Sequence, residues 1–152
     1  MQDIKKTLED HGIMPSQAPM PVGNYRATID VGKLMFISGQ LPFKDGKLIY
    51  KGQIGKEFTF EEGKSAAELC ALNLLSHIIN CPTQHKLKKI VRIEGFINCS
   101  ALFTEHAEVL NAASDLLSKA LSEKAGHVRT VIGCRSLPLG AAIEIAAIVE
   151  LE

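Results

Sequence analysis

Two charged side chains stand in an otherwise apolar stretch near the end of the sequence. Arg129 follows Val128 and lies close to Val131, and Glu144 sits among Ala142, Ile143, Ile145, Ala146 and Ile148. A guanidinium presents a planar fork of donors, so in such a place Arg129 either grips an anion or pairs with an acid. A carboxylate is costly to bury without hydrogen bonds or a cation. Glu144 therefore either pairs structurally or faces a cleft, where its proton affinity would be perturbed.

The elements that must hold them read as one hairpin: a strand over residues 128–135, a turn at Leu137-Pro138-Leu139-Gly140, and a strand over residues 141–151. Alternation puts Ile143, Ile145, Ala147, Val149 and Leu151 on one face and Glu144 on the other, beside Ala142, Ala146 and Ile148. With Pro138 and Leu139 as turn residues, Gly133 faces Glu144 and Arg129 faces Ile148. Arg129 and Glu144 are then four residues out of step, roughly 13 Å at strand rise. They do not pair within one hairpin. If both serve one pocket, the economical geometry is a cleft between subunits, each contributing one of them.

Other candidates for chemistry are weaker. Five histidines show no spacing that matches a zinc site, and Cys81 with His85 supplies only two ligands, so no metal is expected. Cys70, Cys81, Cys99 and Cys134 are scattered without a CxxC pair and read as reduced thiols of a cytoplasmic or organellar protein. No phosphate-binding glycine loop and no GxSxG elbow occurs. Asn111, taken alone, reads as a polar residue on a helix surface, and Tyr25 as a packing residue.

The 152 residues fit one domain, expected to bury roughly 70% of its unfolded surface. Seventeen basic residues balance seventeen acidic ones, so no overall field draws nucleic acid or an anionic membrane. The densest basic run, residues 85–92, contains no aromatic side chain and reads as a solvated approach to a strand. No apolar run is long enough to span a bilayer.

In order, the chain begins with a short helical extension within residues 1–12, lying on the domain surface, followed by a linker stiffened by Pro15, Pro19 and Pro21. A strand pair over residues 25–31 and 34–38 turns at Gly32-Lys33, and its apolar second arm should be central and buried. A long irregular loop fills residues 43–59. A helix over residues 60–80 carries a narrow wet stripe at Asn73, Ser76, His77 and Asn80, continued by Gln84, and Pro82 stops it. A strand over residues 90–98 precedes a second helix over residues 104–121, with Thr104 as a plausible cap. The order β-β-α-β-α-β-β suggests an α+β domain: one mixed sheet with both helices on a single face. The sheet's other face is apolar enough to call for burial in an oligomer.

The pieces Gly23-x-Tyr25, Ser38-Gly39-Gln40-Leu41-Pro42, Asn111, Arg129-Thr130, and Leu137-Pro138 followed six residues later by Glu144 resemble, in this order, the Rid family. That family is also called YjgF/YER057c/UK114 and carries the older name endoribonuclease L-PSP. The resemblance implies a chorismate-mutase-like fold and a homotrimer with three clefts between neighbouring subunits. It implies hydrolysis of reactive imines and enamines, such as 2-aminoacrylate, to a 2-keto acid and ammonium without a cofactor. Carried over residue by residue, Arg129 would clamp the substrate carboxylate and Glu144 would position or activate water. The backbone at Ser38 and Gly39 would bind the reacting end, while Tyr25 and Asn111 complete the wall. Asn24 replaces a proline common in the family, and Val131 a cysteine. The extension and the loop over residues 43–59 mark a longer subgroup. Two other outcomes remain open on the residues: a trimer that binds small carboxylates without turnover, and the ribonuclease of the older name.

Overall fold

The computed structural model describes residues 4–15, 17–81 and 87–152. Pro82, Gln84 and His85, to which a helix stop, part of a polar stripe and a metal pairing were ascribed, lie outside them, as do the first residues of the N-terminal extension. The elements are α1 (Ile4–Asp10), β1 (Thr28–Val31), β2 (Leu34–Gln40), β3 (Phe43–Lys44), β4 (Lys47–Leu48), α2 (Phe60–Ile79), β5 (Leu87–Asn98), α3 (His106–Leu121), β6 (Val128–Cys134) and β7 (Ile143–Leu151).

Five strands form one sheet in the order β1-β2-β7-β5-β6, with β3 and β4 a separate ribbon. β5 and β6 are parallel, and every other neighbouring pair in the sheet is antiparallel. The hairpin expected between β6 and β7 therefore does not form, because β5 lies between them. A helix-length connection is what two parallel strands require, and α3 supplies it between β5 and β6. Residues 138–140 instead make a single 3-10 turn with Leu139 at φ 58°. The chain leaving that turn is held by the long loop: Gly52 N–H donates to Gly140 O at 2.8 Å, and Ala142 N–H to Tyr50 O at 3.0 Å.

Both long helices pack on one face of the sheet. α2 lies on β7 and β2, α3 on β6 and α2, and α1 on α3, where Leu8 is buried. On β7 the odd-numbered residues 143–151 point into this core and are at most 4% exposed, the alternation expected for a half-buried strand. α3 follows its predicted stripe, with Val109, Leu110, Ala113, Leu116, Leu117, Ala120 and Leu121 all buried. Its N-cap is Glu105 rather than Thr104, with no side-chain cap bond. α2 instead opens on a capping box: Thr59 Oγ1 accepts from Glu62 N–H and Glu62 Oε2 accepts from Thr59 N–H.

Two expectations fail for reasons of packing. The polar stripe of α2 is wet only at its end: Asn80 is exposed, but Asn73, Ser76 and His77 are buried, because the turn after β2 folds over them. Asn73 Nδ2 donates to Leu41 O and Phe43 O, both at 3.0 Å. β2 is an interior strand, yet only its Met35 and Ile37 side is buried, and Phe36 on the far face remains 38% exposed.

Candidate functional site

The register between β2 and β7 breaks between Ile37 and Gln40. Ile37 stands opposite Ala147 but Gln40 opposite Ile145, so β2 has one residue more than its partner. Such a bulge bends the strand and re-aims nearby groups. Here it lies at Ser38-Gly39, beside Glu144. A Cβ on Gly39 would overlap Glu144 Oε1 and lie 2.8 Å from its Cδ. Only a glycine lets the carboxylate lie against this backbone.

The bulge is fixed from three sides. Ser38 N–H donates to Ala27 O at 2.8 Å, and Ser38 Oγ–H to Arg26 O at 2.6 Å. Gln40 Nε2 donates to Ser38 O at 2.9 Å, which turns its Oε1 toward His77 Nε2 at 3.1 Å. Because that oxygen can only accept, His77 carries its proton on Nε2. Burial lowers the His77 pKa, in keeping with a neutral ring. The buried stripe of α2 thus supports the candidate site from below.

Glu144 itself is on the face opposite the helices. Burial pushes its carboxyl above the usual carboxylate range. Near it, the Cys134 thiol is raised by burial first, then by the Cys99 thiol and by Glu144. Tyr25 is 48% exposed, its hydroxyl accepting from Val22 N–H at 3.3 Å, and it lines a small void together with Gly39.

Arg129 lies elsewhere. It stands beside Ile93 on the parallel edge strand, whereas Glu144 stands beside Phe96 on β7. Two strand spacings and three residues of offset separate the two backbones by roughly 14 Å. Their side chains leave opposite faces. The Arg129 fork turns to α3, where Nη2 donates to Asn111 Oδ1 at 2.6 Å and Ala107 O at 3.3 Å, and Nη1 to Ser114 Oγ at 3.0 Å. Residues 107, 111 and 114 share one helical stripe, so α3 presents three acceptors in a row. Ser114 Oγ lies 3.0 Å from His127 Nε2, completing a line from the guanidinium to the end of β6.

The structure therefore brings Ser38, Gly39, Glu144 and Tyr25 to one end of the sheet, and Arg129 with Asn111 to another edge. Within one chain the two groups do not meet. In the sequence Gln40 and His77 read only as parts of a strand-ending motif and of a helix stripe, and Ser114 and His127 carry no assigned role; a local signal for Ser114 is its three-residue spacing from Asn111. Among the described residues, no three His, Cys, Asp or Glu side chains could hold a metal ion, and no helix is long and apolar enough to cross a membrane.

Gly39→Ala should push the Glu144 carboxylate off this backbone at little cost in stability, because the atoms in the way are the flexible end of a side chain. Denaturant titration should show a midpoint near that of the wild type, while any activity that depends on the seated carboxylate should fall.

Residues 8–151 match a family model described as "YjgF/chorismate mutase-like, putative endoribonuclease". Protein TCP17 of Trypanosoma cruzi is 37% identical over 150 residues, covering 97% of this chain and 94% of its own. A solved structure from Shewanella oneidensis, described as a "putative endoribonuclease", has a TM-score of 0.93 at 31% identity, covering 99% of this chain and 100% of that one. RidA from the Antarctic bacterium Psychrobacter has a TM-score of 0.63 at 25% identity, covering 88% and 94%.

Proposed function

This chain belongs to the YjgF/chorismate mutase-like family, which includes the Rid proteins, and from that premise we propose that it is a hydrolase of small imines and enamines that bear a carboxylate. The observation that carries the reading is the Glu144 carboxylate, half-buried, raised in pKa and lying against the Gly39 backbone. A carboxylate of raised pKa is a stronger base than a free one and takes a proton from water more readily.

Water adds to the carbon of the protonated C=N bond while Glu144 accepts a proton from it. The resulting carbinolamine receives that proton on nitrogen; as its C–N bond breaks, Glu144 takes the hydroxyl proton, the carbonyl of the 2-keto acid forms, and the departing ammonia picks up that proton to leave as ammonium. An enamine first gains a proton at its terminal carbon to become the imine. Arg129 holds the substrate carboxylate by its charge and by the N–H groups that α3 leaves free, while Asn111, Ser114 and Ala107 keep the fork oriented.

Because Glu144 and Arg129 point from opposite faces of the sheet on strands two places apart, the reading requires a second subunit. In a homotrimer, the open face of one protomer meets the β6 edge of the next. That face carries Phe36, Ile132 and Val128 at 38%, 50% and 62% exposure, an apolar surface suited to such burial. Light scattering at micromolar concentration should return three times the 16.5 kDa chain mass.

The direct test generates imines with an amino-acid oxidase and follows semicarbazone loss alongside ammonium release. Acceleration by the protein supports the reading, and unchanged decay across the panel ends it. A second reading, carboxylate binding without turnover, is favoured by the self-contained seat of Arg129 on α3. Saturable binding of a keto acid with no imine hydrolysis would select it. The endoribonuclease description of the family model has less support here, since the chain is net neutral and shows no basic patch interleaved with aromatics.

A further inference from the structure

No step of the proposed hydrolysis uses His127. The residue stands just before β6 and shares a face with Arg129 two positions on, so both turn to α3. Because β6 runs back along that helix, the two meet its polar stripe in reverse order: His127 touches Ser114, and Arg129 reaches Ser114, Asn111 and Ala107.

Along this line each donor finds one acceptor when the ring is neutral. The Ala125 carbonyl can only accept, so the hydrogen bond to it puts the ring proton on His127 Nδ1. Nε2 is then an acceptor, and across 3.0 Å it takes the hydroxyl proton of Ser114. With its own proton so directed, Ser114 Oγ turns a lone pair to Arg129 Nη1, also at 3.0 Å. Nη2 is taken by Asn111 and Ala107, which leaves Nε and the second Nη1 hydrogen to face a ligand. The far end of the line is firmly anchored. Ala125 closes a 3-10 turn over Ser122–Ala125 and is 2% exposed, and Lys124 Nζ in the same turn donates to Leu87 O on β5 at 2.9 Å.

We propose that His127 is a positioning residue for the Arg129 anion site. It acts through Ser114, keeping that hydroxyl an acceptor so that the guanidinium holds its remaining N–H groups toward the ligand. Without the imidazole the Ser114 proton is free to turn back to the carbonyl four residues earlier on the helix or toward the guanidinium itself, and the fork loses one of its three restraints. The proposal rests on the imine-hydrolase reading for its choice of a carboxylate ligand, whereas the position of the ring proton is independent of any ligand.

The experiment joins NMR of the imidazole nitrogens to calorimetry with pyruvate. Above neutral pH the His127 proton should sit on Nδ1, and a ring protonated on Nε2 alone or on both nitrogens overturns the proposal. His127→Asn keeps an amide against the Ala125 carbonyl but falls short of Ser114, and should weaken pyruvate binding by about three- to tenfold, the scale of one lost hydrogen bond. The KM for an imine should rise by a similar factor with kcat nearly unchanged, the mark of lost binding rather than lost chemistry. His127→Gln, whose amide oxygen can stand where Nε2 does, should restore most of the affinity. Adding Ser114→Ala to His127→Asn should cost little beyond the larger single loss, since both act on one line. Asn and Gln variants that bind alike, or losses that simply add, would overturn the proposal even with hydrolysis intact. A wild type that does not bind pyruvate would end it together with the carboxylate-bearing substrate class. Absent hydrolysis beside a clear difference between Asn and Gln would support the proposal and count against turnover alone.

Discussion

Glu144→Gln is expected to lower imine turnover by roughly 10²–10⁴-fold, the usual contribution of a positioned general base, while raising thermal stability near neutral pH. Gln keeps the shape and a carbonyl oxygen beside Gly39 but cannot take a proton from water. The stability gain follows from the raised pKa of Glu144. A folded carboxyl with a raised pKa holds its proton to higher pH than the unfolded chain does. Stability then falls as pH rises from the unfolded pKa through the folded one, and above that window the charged, half-buried group remains a burden. Removing the charge removes the burden. Turnover by the wild type should have the opposite dependence, rising with pH through the folded pKa of Glu144, so its acid limb should lie above the ordinary carboxylate range. Paired melting curves and pH–rate profiles check both halves. A Gln variant that is less stable and equally active would mean that the carboxylate is a structural partner.

Arg129→Ala should abolish saturable carboxylate binding, since truncating one partner of a hydrogen-bonded charge pair costs about 2–5 kcal/mol. Arg129→Lys should recover little, because a single ammonium cannot reproduce the fork that Asn111, Ser114 and Ala107 orient. The stronger use of this variant is complementation. Arg129→Ala and Glu144→Gln, each inactive, are unfolded together in equal amounts and refolded. If each cleft draws its glutamate from one subunit and its arginine from the next, random assembly leaves about a quarter of the clefts intact. Activity should therefore return from two inactive stocks. Were both groups to serve a cleft within one chain, mixing would restore nothing, and the proposed intersubunit geometry would fall.

Most of the elements were legible because side-chain periodicity is local. The apolar stripe of α3 and the alternation along β7 are written in spacings of three to four and of two, and both appear at the expected residues. The chemical types at the site were legible for a related reason. Charge at Arg129 and Glu144 conflicts with the apolar pattern around it, and the Ser38-Gly39 pair breaks a strand that would otherwise run on.

What escaped was adjacency. Residues 128–151 look like a hairpin because the two strands are consecutive with a proline-glycine turn between them. Yet β5, twelve residues long, lies between them, pairing with β7 on one side and with β6 on the other. That choice depends on burying one strand against two partners at once, which no window of sequence contains. It reverses the site as well. Arg129 inherits the helix face from its parallel register with Ile93, while Glu144 inherits the open face beside Phe96. The polar stripe of α2 misled for the same reason: Asn73 and His77 have helix-surface spacing, and only the fold of the turn after β2 makes them buried supports of the bulge.

The sequence alone thus determined the two long helices and the main strands, the apolar faces of α3 and β7, and which side chains break the pattern, because those properties depend on neighbours a few residues apart; it did not show the β3–β4 ribbon inside the loop expected over residues 43–59. Strand order, the extra residue at Ser38-Gly39, the pressing of Glu144 on that backbone and the opposed directions of Glu144 and Arg129 were decided by tertiary structure. They arise from competition among distant segments for the same buried surface and the same backbone hydrogen bonds.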